Sequence, residues 1–474
     1  MNENSKPLAP GYSPAPAMPG ENESVFDERP PMRPAKGRLR WLPFIVAALV
    51  FFLVLVWLGY STDPKITGLR NIVQYRVVKL LGGAEVRTGE PPGALAGAIL
   101  DSEGKQVAGA MVLVASPLGD TYTAVSSTDG RYRIADLPPG DYVPVAGKRG
   151  YDDALNQICA AGLCYKRSVA VSPGVQELAF DLTLAQAAPP PIVVDDSLIV
   201  SATVVVETAA PLPGKARRTH FSFERDGLRV SDCYLYEPPE GDGPFPTLLL
   251  VLPGPVLGWE IVPVPFAAQG FSVLALYPLR GTDIDGDAAD LLTALEYLKL
   301  GRLPSHADPE QLGLIGASYT SLHAYRLLGL TDQVDVALVL GGMADGFAFR
   351  HDVETGAAQA RPPFDQVLIA LGFPHSSPEL YFKYSVAFHL EGLPPLCLLH
   401  GKDDELVPFS QGILLDQELT RRAMPHEFHT YEGLKHYFST SADSATTQQM
   451  FQDSLDCLRR FLGDRGEGVD TIPY

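Results

Sequence analysis

The sequence predicts three folded parts: one transmembrane helix, a small all-β sandwich, and a C-terminal α/β domain with a mostly parallel sheet and helices on both faces. Three observations lead to this fold class. A charge-free apolar run occupies residues 41–62, short β-like segments between turns fill 93–184, and apolar strands alternate with amphipathic helices over 219–465. At 474 residues and 46% hydrophobic content, the chain is long enough for several cores.

The first element is the run "WLPFIVAALVFFLVLVWLGYST" at residues 41–62, which contains no charge. An apolar helix needs about 20 residues to cross a bilayer. Trp41, Trp57 and Tyr60 lie at the two ends, where aromatic rings favour the membrane interface. A cleaved signal peptide is the alternative, but the run is too long, 40 residues precede it, and no A-x-A site follows. We therefore predict a single-pass anchor.

The flanks of this run predict its orientation. Basic residues crowd the N-terminal side, and those that follow the helix are sparser. The crowded set is Arg29, Arg33, Lys36, Arg38 and Arg40; the sparser set is Lys65, Arg70, Arg76 and Lys79. The positive-inside rule then predicts a cytoplasmic N-terminus and extracytoplasmic domains. The proline-rich tail 1–40 is predicted to be disordered, and 63–92 to be a juxtamembrane linker.

The all-β segment 93–184 shows turn signals between short strands, which predicts a small sandwich. Its motifs resemble those of the carboxypeptidase regulatory-like family. They are Gly97, "GKQVAGAMV" (104–112), "STDGRYRIADLPPGDY" (127–142) and "KRGY" (148–151). The resemblance implies a seven-stranded sandwich without catalysis of its own, which we interpret as a spacer. A role in binding glycans or partners has no residue to support it.

An insertion in the sandwich, "DDALNQICAAGLCYKRS", departs from that family. Cys159 and Cys164 lie close together within it, and they are either two free thiols or a disulfide that closes a small loop outside the cytoplasm. The next segment, 185–218, begins with "AQAAPPP" and is predicted to be a linker. Within it, "LIVSATVVVE" has β character and could add a strand to either neighbouring domain.

The C-terminal domain contains "GLIGASYTS" (313–321), which approximates the G-x-S-x-G turn, with Thr320 in place of the last glycine. Ser318 follows an apolar strand and precedes a helix, which is the context that this turn requires. A serine hydroxyl needs a base to take its proton, and the base needs an acid to orient it. The expected order is serine, acid, histidine, with the last two on loops that follow later strands.

Two downstream segments fit this order: "LCLLHGKDDELVP" (396–408) and "YEGLKHYF" (431–438). With them, the region from Phe221 to Leu462 resembles the α/β-hydrolase superfamily, in its dienelactone hydrolase and prolyl-oligopeptidase-like branches. The resemblance implies Asp404 as the acid, with Asp403 as the alternative, and His436 as the base. Three further histidines lie within or beside strands and are predicted to be structural: His400, His426 and His429.

The oxyanion of the tetrahedral intermediate needs two donors. The backbone N–H of Tyr319, the residue after the serine, is predicted to supply one. Pro255 stands at the usual position of the second donor and has no N–H. Val256 could donate if the loop shifts, or the indole of Trp259 could reach in. A slow enzyme, or a fold kept for binding, therefore stays an alternative.

Together these features predict a membrane-anchored serine hydrolase that cleaves an ester or peptide bond through an acyl-enzyme. An insertion at about 344–390 is predicted to form a cap, and its apolar and aromatic content suits an acyl, aryl or peptide group. The net charge of −19 argues against nucleic-acid binding. We infer no cofactor and no metal site. The alternatives are a non-catalytic binding module of the same fold and an envelope adhesion or scaffold protein that acts through the sandwich. The substrate, protein partners and oligomeric state stay open.

Overall fold

The computed structural model describes residues 41–81, 89–174, 178–188, 192–362, 364–441 and 444–463. The predicted disordered tail 1–40, with the basic residues that predict orientation, lies outside the described residues. The chain divides into two compact units, 1–55 and 56–474.

The apolar run forms helix α1, Leu42–Tyr60. None of its residues is buried by other parts of the protein. By length and composition it can cross a membrane, and no other helix among the described residues can.

A second helix, α2 (Pro64–Leu80), occupies most of the predicted juxtamembrane linker 63–92, so that prediction needs correction. Its N-cap is Asp63, whose carboxylate accepts the backbone N–H groups of Lys65 at 2.9 Å and Ile66 at 3.1 Å. Pro64 stands at the first helical position, where its missing N–H has no cost. The Asp-Pro pair was thus the sequence signal for this helix.

The β domain consists of two main sheets packed face to face, as the sequence predicts. One has the order β12-β1-β13-β7 with β4 beside β1, and the other the order β3-β2-β6-β8. Leu95, Ile99, Val112 and Leu184 are fully buried in the core between them. The strands are β1 Gly93–Asp101, β2 Met111–Ala115, β3 Thr121–Val125, β4 Arg131–Leu137, β5 Gly140–Tyr142, β6 Val145–Gly147, β7 Tyr151–Asp152, β8 Ala154–Leu155, β9 Gln157–Ala160, β10 Leu163–Lys166, β11 Val169–Val171, β12 Leu178–Ala179 and β13 Leu182–Gln186.

The insertion in the β domain is the antiparallel hairpin β9–β10. Cys159 and Cys164 face each other across it and form a disulfide. Of the two alternatives that the sequence leaves open, the structure therefore has the closed loop.

The C-terminal domain alternates strands and helices. Its strands are β14 Ile199–Val200, β15 Val204–Thr208, β16 Gly214–Arg225, β17 Leu228–Glu237, β18 Phe245–Val251, β19 Ser272–Leu276, β20 Ala307–Ala317, β21 Val336–Leu340, β22 Leu396–Gly401 and β23 His426–Tyr431. Its helices are α3 Pro263–Ala268, α4 Ile284–Lys299, α5 Ser321–Leu330, α6 Gly346–Thr355, α7 Phe364–Leu371, α8 Pro378–Tyr384, α9 Phe409–Arg421 and α10 Ser444–Gly463. The predicted α/β architecture is confirmed.

These strands form one sheet of order β14-β16-β17-β19-β18-β20-β21-β22-β23, with β15 beside β16. From β19 to β23 every neighbouring pair is parallel, and β14 to β17 form an antiparallel extension. The predicted linker 185–218 therefore needs correction, because β14, β15 and the start of β16 lie within it. The ambiguous segment "LIVSATVVVE" belongs to this sheet.

Helices cover both faces of the sheet. On one face, Leu291 and Leu295 of α4, Leu327 of α5 and Leu419 of α9 pack on the strands. On the other face, α3 and α10 contribute a second apolar cluster. Strands buried on both faces are apolar along their whole length, which explains the continuous apolar runs in the sequence.

The insertion between β21 and β22 forms the three helices α6, α7 and α8, which we call the cap. The cap packs against the β domain as well as the sheet. Phe347 and Phe382 of the cap are buried in one cluster with Leu113 and Val145 of the β domain. The β domain is therefore packed onto the C-terminal domain.

Helix α2 packs on the cap helix α7. Asn71 is 2% exposed, and its Nδ2 donates to the carbonyl of Ala370 at 2.7 Å. The buried guanidinium of Arg350 lies 4.7 Å from the ring centroid of Tyr75 and 5.4 Å from that of Phe373. A cation held between two aromatic faces gains stabilisation from both rings. The juxtamembrane helix is thus part of the packing of the cap.

Candidate active site

Ser318 lies in the sharp turn that joins β20 to α5. Its backbone φ is +54°, in the left-handed region that a non-glycine residue rarely adopts. A short 3₁₀ turn, Ser318–Thr320, then leads into the helix. Such backbone strain persists only where the surrounding structure holds it, and it is typical of a serine displayed at the edge of an α/β sheet.

Thr320 stabilises this turn through its hydroxyl group. The side chain is fully buried, and its Oγ1 lies 2.7 Å from the carbonyl oxygen of Val251 and accepts the N–H of Ala317 at 3.1 Å. The space comes from Gly316, where a β-carbon would lie 2.8 Å from Ala324 Cβ and 3.0 Å from the Thr320 carbonyl. The residue that departs from the sequence pattern therefore ties the turn to the neighbouring strand β18.

The structure brings Ser318, His436 and Asp404 together. Ser318 Oγ lies 2.7 Å from His436 Nε2, and His436 Nδ1 lies 2.8 Å from Asp404 Oδ2. The second carboxylate oxygen of Asp404 accepts the N–H groups of Leu406 at 2.9 Å and Val407 at 2.8 Å. The side chains of Asp404 and His436 are only 4% and 7% exposed. Buried hydrogen bonds of this kind fix the orientation of the imidazole.

Asp403, the alternative acid, lies apart from this chain of hydrogen bonds. It is exposed, and its backbone N–H donates to the carbonyl of Leu434 at 3.2 Å. Its carboxylate contacts no hydrogen-bonding group in the part of the chain that the structure describes. The geometry thus favours Asp404 over Asp403 as the partner of His436.

The three histidines that the sequence predicts to be structural form hydrogen bonds to groups near them. The ring of His400 is buried beside Asp404, with Nε2 at 3.6 Å from its Oδ2, but it donates to a backbone carbonyl. Burial lowers the pKa of His400, so this ring is neutral at neutral pH. The hydrogen-bond partners are Val407 O for His400, Asp416 for His426 and Glu427 for His429.

The loop after β18 differs from the arrangement predicted for the second oxyanion donor. The N–H of Val256 donates to Asp232 Oδ2 at 3.0 Å, and Val256 is fully buried. In this conformation of the loop, the Val256 N–H is already hydrogen-bonded to a carboxylate. The indole of Trp259 folds back over Gly254, where a β-carbon would lie 2.7 Å from Trp259 Nε1. Within the described residues this indole N–H has no hydrogen-bond partner, so it is one donor that this loop leaves free.

The cap contacts the residues that directly follow Ser318 and His436 in the chain. The ring of Phe364, the first residue of α7, lies 6.4 Å from that of Tyr319, the residue after Ser318. The hydroxyl of Tyr437, the residue after His436, donates to the carbonyl of Pro362 at 3.2 Å. The Tyr319 hydroxyl donates to the carbonyl of Gly281 at 2.6 Å, which holds its ring in place. One edge of the cap therefore contacts the neighbours of both Ser318 and His436.

Two features near the site were missed by sequence reasoning. Glu405 accepts the backbone N–H of His436 at 3.0 Å and so holds the loop that carries this histidine. Cys397 of β22 is bonded to Cys457 of α10. Glu405 stands within the acidic turn beside Asp404, but no pattern distinguishes its role. The two cysteines are 60 residues apart, a spacing with no short-range signal.

The described residues hold no group of three or more His, Cys, Asp or Glu side chains placed to bind a metal ion. The catalytic roles of Ser318, His436, Asp404, Tyr319 and Val256 stay predictions.

Comparison with known families matches both domains. Residues 94–185 match the carboxypeptidase regulatory-like domain, and residues 279–463 match the prolyl oligopeptidase family. The chain thus contains a carboxypeptidase regulatory-like domain followed by an α/β-hydrolase domain of the prolyl oligopeptidase family. Both resemblances predicted from the sequence are confirmed.

Solved structures similar to this chain include an acylaminoacyl peptidase in complex with Z-Gly-Gly-Phe-chloromethyl ketone, with 17% identity and a TM-score of 0.45. An acylaminoacyl peptidase from Pyrococcus horikoshii has 16% identity and a TM-score of 0.44. Each match covers 78% of this chain and 64% of the other, so this chain spans less than two thirds of their length. A puromycin-hydrolysing peptidase from Mycobacterium tuberculosis has 17% identity, 77% and 70% coverage and a TM-score of 0.41.

Proposed function

We propose that this chain, whose C-terminal domain has the prolyl oligopeptidase-family serine peptidase fold, is a membrane-anchored serine hydrolase that cleaves an ester or peptide bond. The observation that carries the proposal is the hydrogen-bonded series Ser318–His436–Asp404, with Ser318 at a positive φ. A serine at a helix start with a purely structural role has no need of a buried imidazole at 2.7 Å.

In the proposed mechanism, His436 Nε2 takes the proton of Ser318 as Oγ attacks the substrate carbonyl carbon. Asp404 accepts the Nδ1–H, which keeps Nε2 free of a proton before the attack and stabilises the imidazolium that forms. Collapse of the tetrahedral intermediate breaks the ester or amide bond, and His436 gives its proton to the leaving group. Water then hydrolyses the acyl-enzyme by the same steps.

The proposed oxyanion donors are the backbone N–H of Tyr319 and the indole N–H of Trp259. Tyr319 follows Ser318 directly, as the first donor of this fold does. Trp259 replaces Val256, the donor predicted from the sequence, because the Val256 N–H donates to Asp232.

The family match favours a peptide over other substrates, because the prolyl oligopeptidase family is named for cleavage of short peptides. The cap is consistent with a short substrate. The contacts of the cap with Tyr319 and Tyr437 close one side of the site. We therefore propose short peptides or small acyl derivatives rather than folded proteins.

Labelling with a fluorophosphonate probe tests the proposal on the purified full-length protein. We expect covalent labelling at the peptide that contains Ser318, identified by mass spectrometry, because the probe reacts only with an activated serine. Hydrolysis of aryl esters and of N-blocked short peptides then separates esterase from peptidase activity. A folded protein that is not labelled and turns over none of these substrates would overturn the proposal.

A non-catalytic binding module is the second candidate, and one observation favours it. Pro255 has no N–H and the Val256 N–H is hydrogen-bonded to Asp232, so neither of these two backbone positions supplies the second donor. An adhesion or scaffold role through the β domain is the third candidate. Both predict a folded protein without fluorophosphonate labelling, so the same experiment separates the proposed hydrolase from these two candidates.

Membrane anchoring through α1, with the catalytic domain outside the cytoplasm, is part of the proposal. The charge-free length of α1 supports the anchor. Two disulfides, Cys159–Cys164 and Cys397–Cys457, support an oxidising compartment for the domains that follow it.

Protease added to intact cells, or to spheroplasts where an outer membrane is present, tests the orientation. We expect loss of the catalytic domain and survival of the N-terminal tail, each followed with its own antibody. Permeabilised cells, in which both are degraded, serve as the control. Protection of the catalytic domain in intact cells would reverse the orientation.

A further inference from the structure

The hairpin β9–β10 exposes an unusual apolar surface. Residues 157–165, "QICAAGLCY", contain no charge, and the pair Lys166–Arg167 follows directly. The disulfide Cys159–Cys164 closes the turn, so the hairpin does not depend on a core of its own for its shape. This is the insertion that departs from the carboxypeptidase regulatory-like family, so the sandwich itself does not require it.

One face of the hairpin carries the exposed apolar side chains. Ile158 and Tyr165 are directly opposite each other across the two strands, so they lie on the same face. They are 60% and 57% exposed. Two large apolar side chains side by side and open to solvent mark a surface that contacts another apolar phase or partner.

The contacts of the hairpin with the end of the apolar helix α1 indicate that this apolar phase is the lipid bilayer. The ring of Tyr60 lies 6.1 Å from the ring of Tyr165, and Thr62 donates both its N–H and its hydroxyl to the carbonyl of Gly162. Ser61 pairs with Leu163 as an isolated β-bridge. The hairpin is therefore fixed to the residues at which the apolar run ends. Tyrosine side chains are enriched at this boundary between lipid and water.

The hairpin is also held from the opposite side. Lys166 donates to the carbonyl of Ser376 at 3.1 Å and to Ser377 Oγ at 3.2 Å, and it forms an ion pair with Glu379 of α8. The apolar face cannot swing away from the end of α1 without breaking these contacts.

We propose that the hairpin β9–β10 is a second membrane contact, which inserts Ile158 and Tyr165 into the interfacial region of the bilayer beside α1. The occupant of this surface is the lipid itself, because the surface is continuous with the last residues of the proposed span. Arg167 is exposed at the base of the hairpin, where its positive charge can pair with the phosphate groups of the lipid headgroups. The inference rests on the proposed anchoring by α1 and gives the β domain a role beyond that of a spacer.

Photo-crosslinking of the full-length protein in phosphatidylcholine vesicles tests this proposal. The vesicles contain a phospholipid with a diazirine near the glycerol end of one acyl chain, and adducts are mapped by mass spectrometry. We expect adducts on α1 and on the peptide that contains residues 157–165. Ile158→Asp should lower the hairpin adducts at least tenfold and leave those on α1 unchanged.

Val205→Asp is the matched control, because Val205 is an apolar residue 58% exposed on β15 of the catalytic domain. This variant should keep the adduct pattern of the wild type, and equal turnover of a soluble ester shows that each variant is folded. Adducts on α1 without adducts on the hairpin would overturn the inference alone. Absence of adducts on α1 would instead overturn the proposed anchoring on which it rests.

Discussion

Replacing Ser318 with alanine is expected to lower kcat for an activated ester by roughly 10⁶-fold, the scale seen when one member of a coupled triad is lost. The substitution removes the hydroxyl oxygen that lies 2.7 Å from His436 Nε2. His436→Ala should be about as severe, because the serine hydroxyl then has no base. The measurement is steady-state hydrolysis of a p-nitrophenyl ester, with circular dichroism to show that each variant is folded.

The neighbouring aspartates provide a matched pair of controls for the same prediction. Asp404→Asn should lower kcat by roughly 10⁴-fold, because an amide no longer stabilises the imidazolium or its required tautomer. Asp403→Asn should leave kcat within twofold of the wild type, since Asp403 is exposed and the carboxylate on His436 Nδ1 is that of Asp404. A larger loss for Asp403→Asn than for Asp404→Asn would show that the acid is misassigned.

Replacing Trp259 with phenylalanine is expected to lower kcat by roughly 10²–10³-fold, as the loss of one oxyanion donor does. The phenyl ring keeps part of the apolar contact and removes the N–H. KM should change little, because the oxyanion exists only in the transition state and the intermediate. The register Val251↔Gly316 between β18 and β20 places the loop that carries Trp259 at the same edge of the sheet as Ser318.

Pro255→Ala tests the alternative source of a donor in this loop. It restores an N–H at the position where related enzymes have one. If Trp259 is the second donor, this N–H is redundant and kcat should stay within a few-fold of the wild type. An unchanged kcat in Trp259→Phe together with a raised kcat in Pro255→Ala would contradict the role of Trp259. Leu257→Ala changes an exposed side chain of the same loop and is the control for increased flexibility of the loop.

The parallel half of the sheet was predictable from the sequence because its strands are buried on both faces. Strand β18, Phe245–Val251, for example, contains the uninterrupted apolar segment 248–251. Loops at the carboxyl ends of such strands lie at one edge of the sheet, so Ser318, Asp404 and His436 could be expected to meet. Their order and loop positions carry this information without any knowledge of side-chain packing.

Features that depend on contacts between distant segments were not predictable. Helix α2 is held by tertiary contacts such as that of Asn71 with Ala370. The edge strand β15 has an apolar sequence, but only its pairing with β16 decides which domain it joins. The use of the Val256 N–H by Asp232 joins a loop to a strand that precedes it by 24 residues. No local pattern in the sequence encodes such a contact.

The packing of α2 on the cap has a consequence for any soluble form of the protein. A chain cut between Tyr60 and Pro64 loses the apolar helix but keeps Tyr75 against Arg350. A chain cut after Leu81 removes α2 as well, and the guanidinium of Arg350, now 1% exposed, loses one of its two aromatic faces. Loss of the proposed membrane anchor and damage to the cap are therefore separate events, and the position of the cut decides which of them occurs.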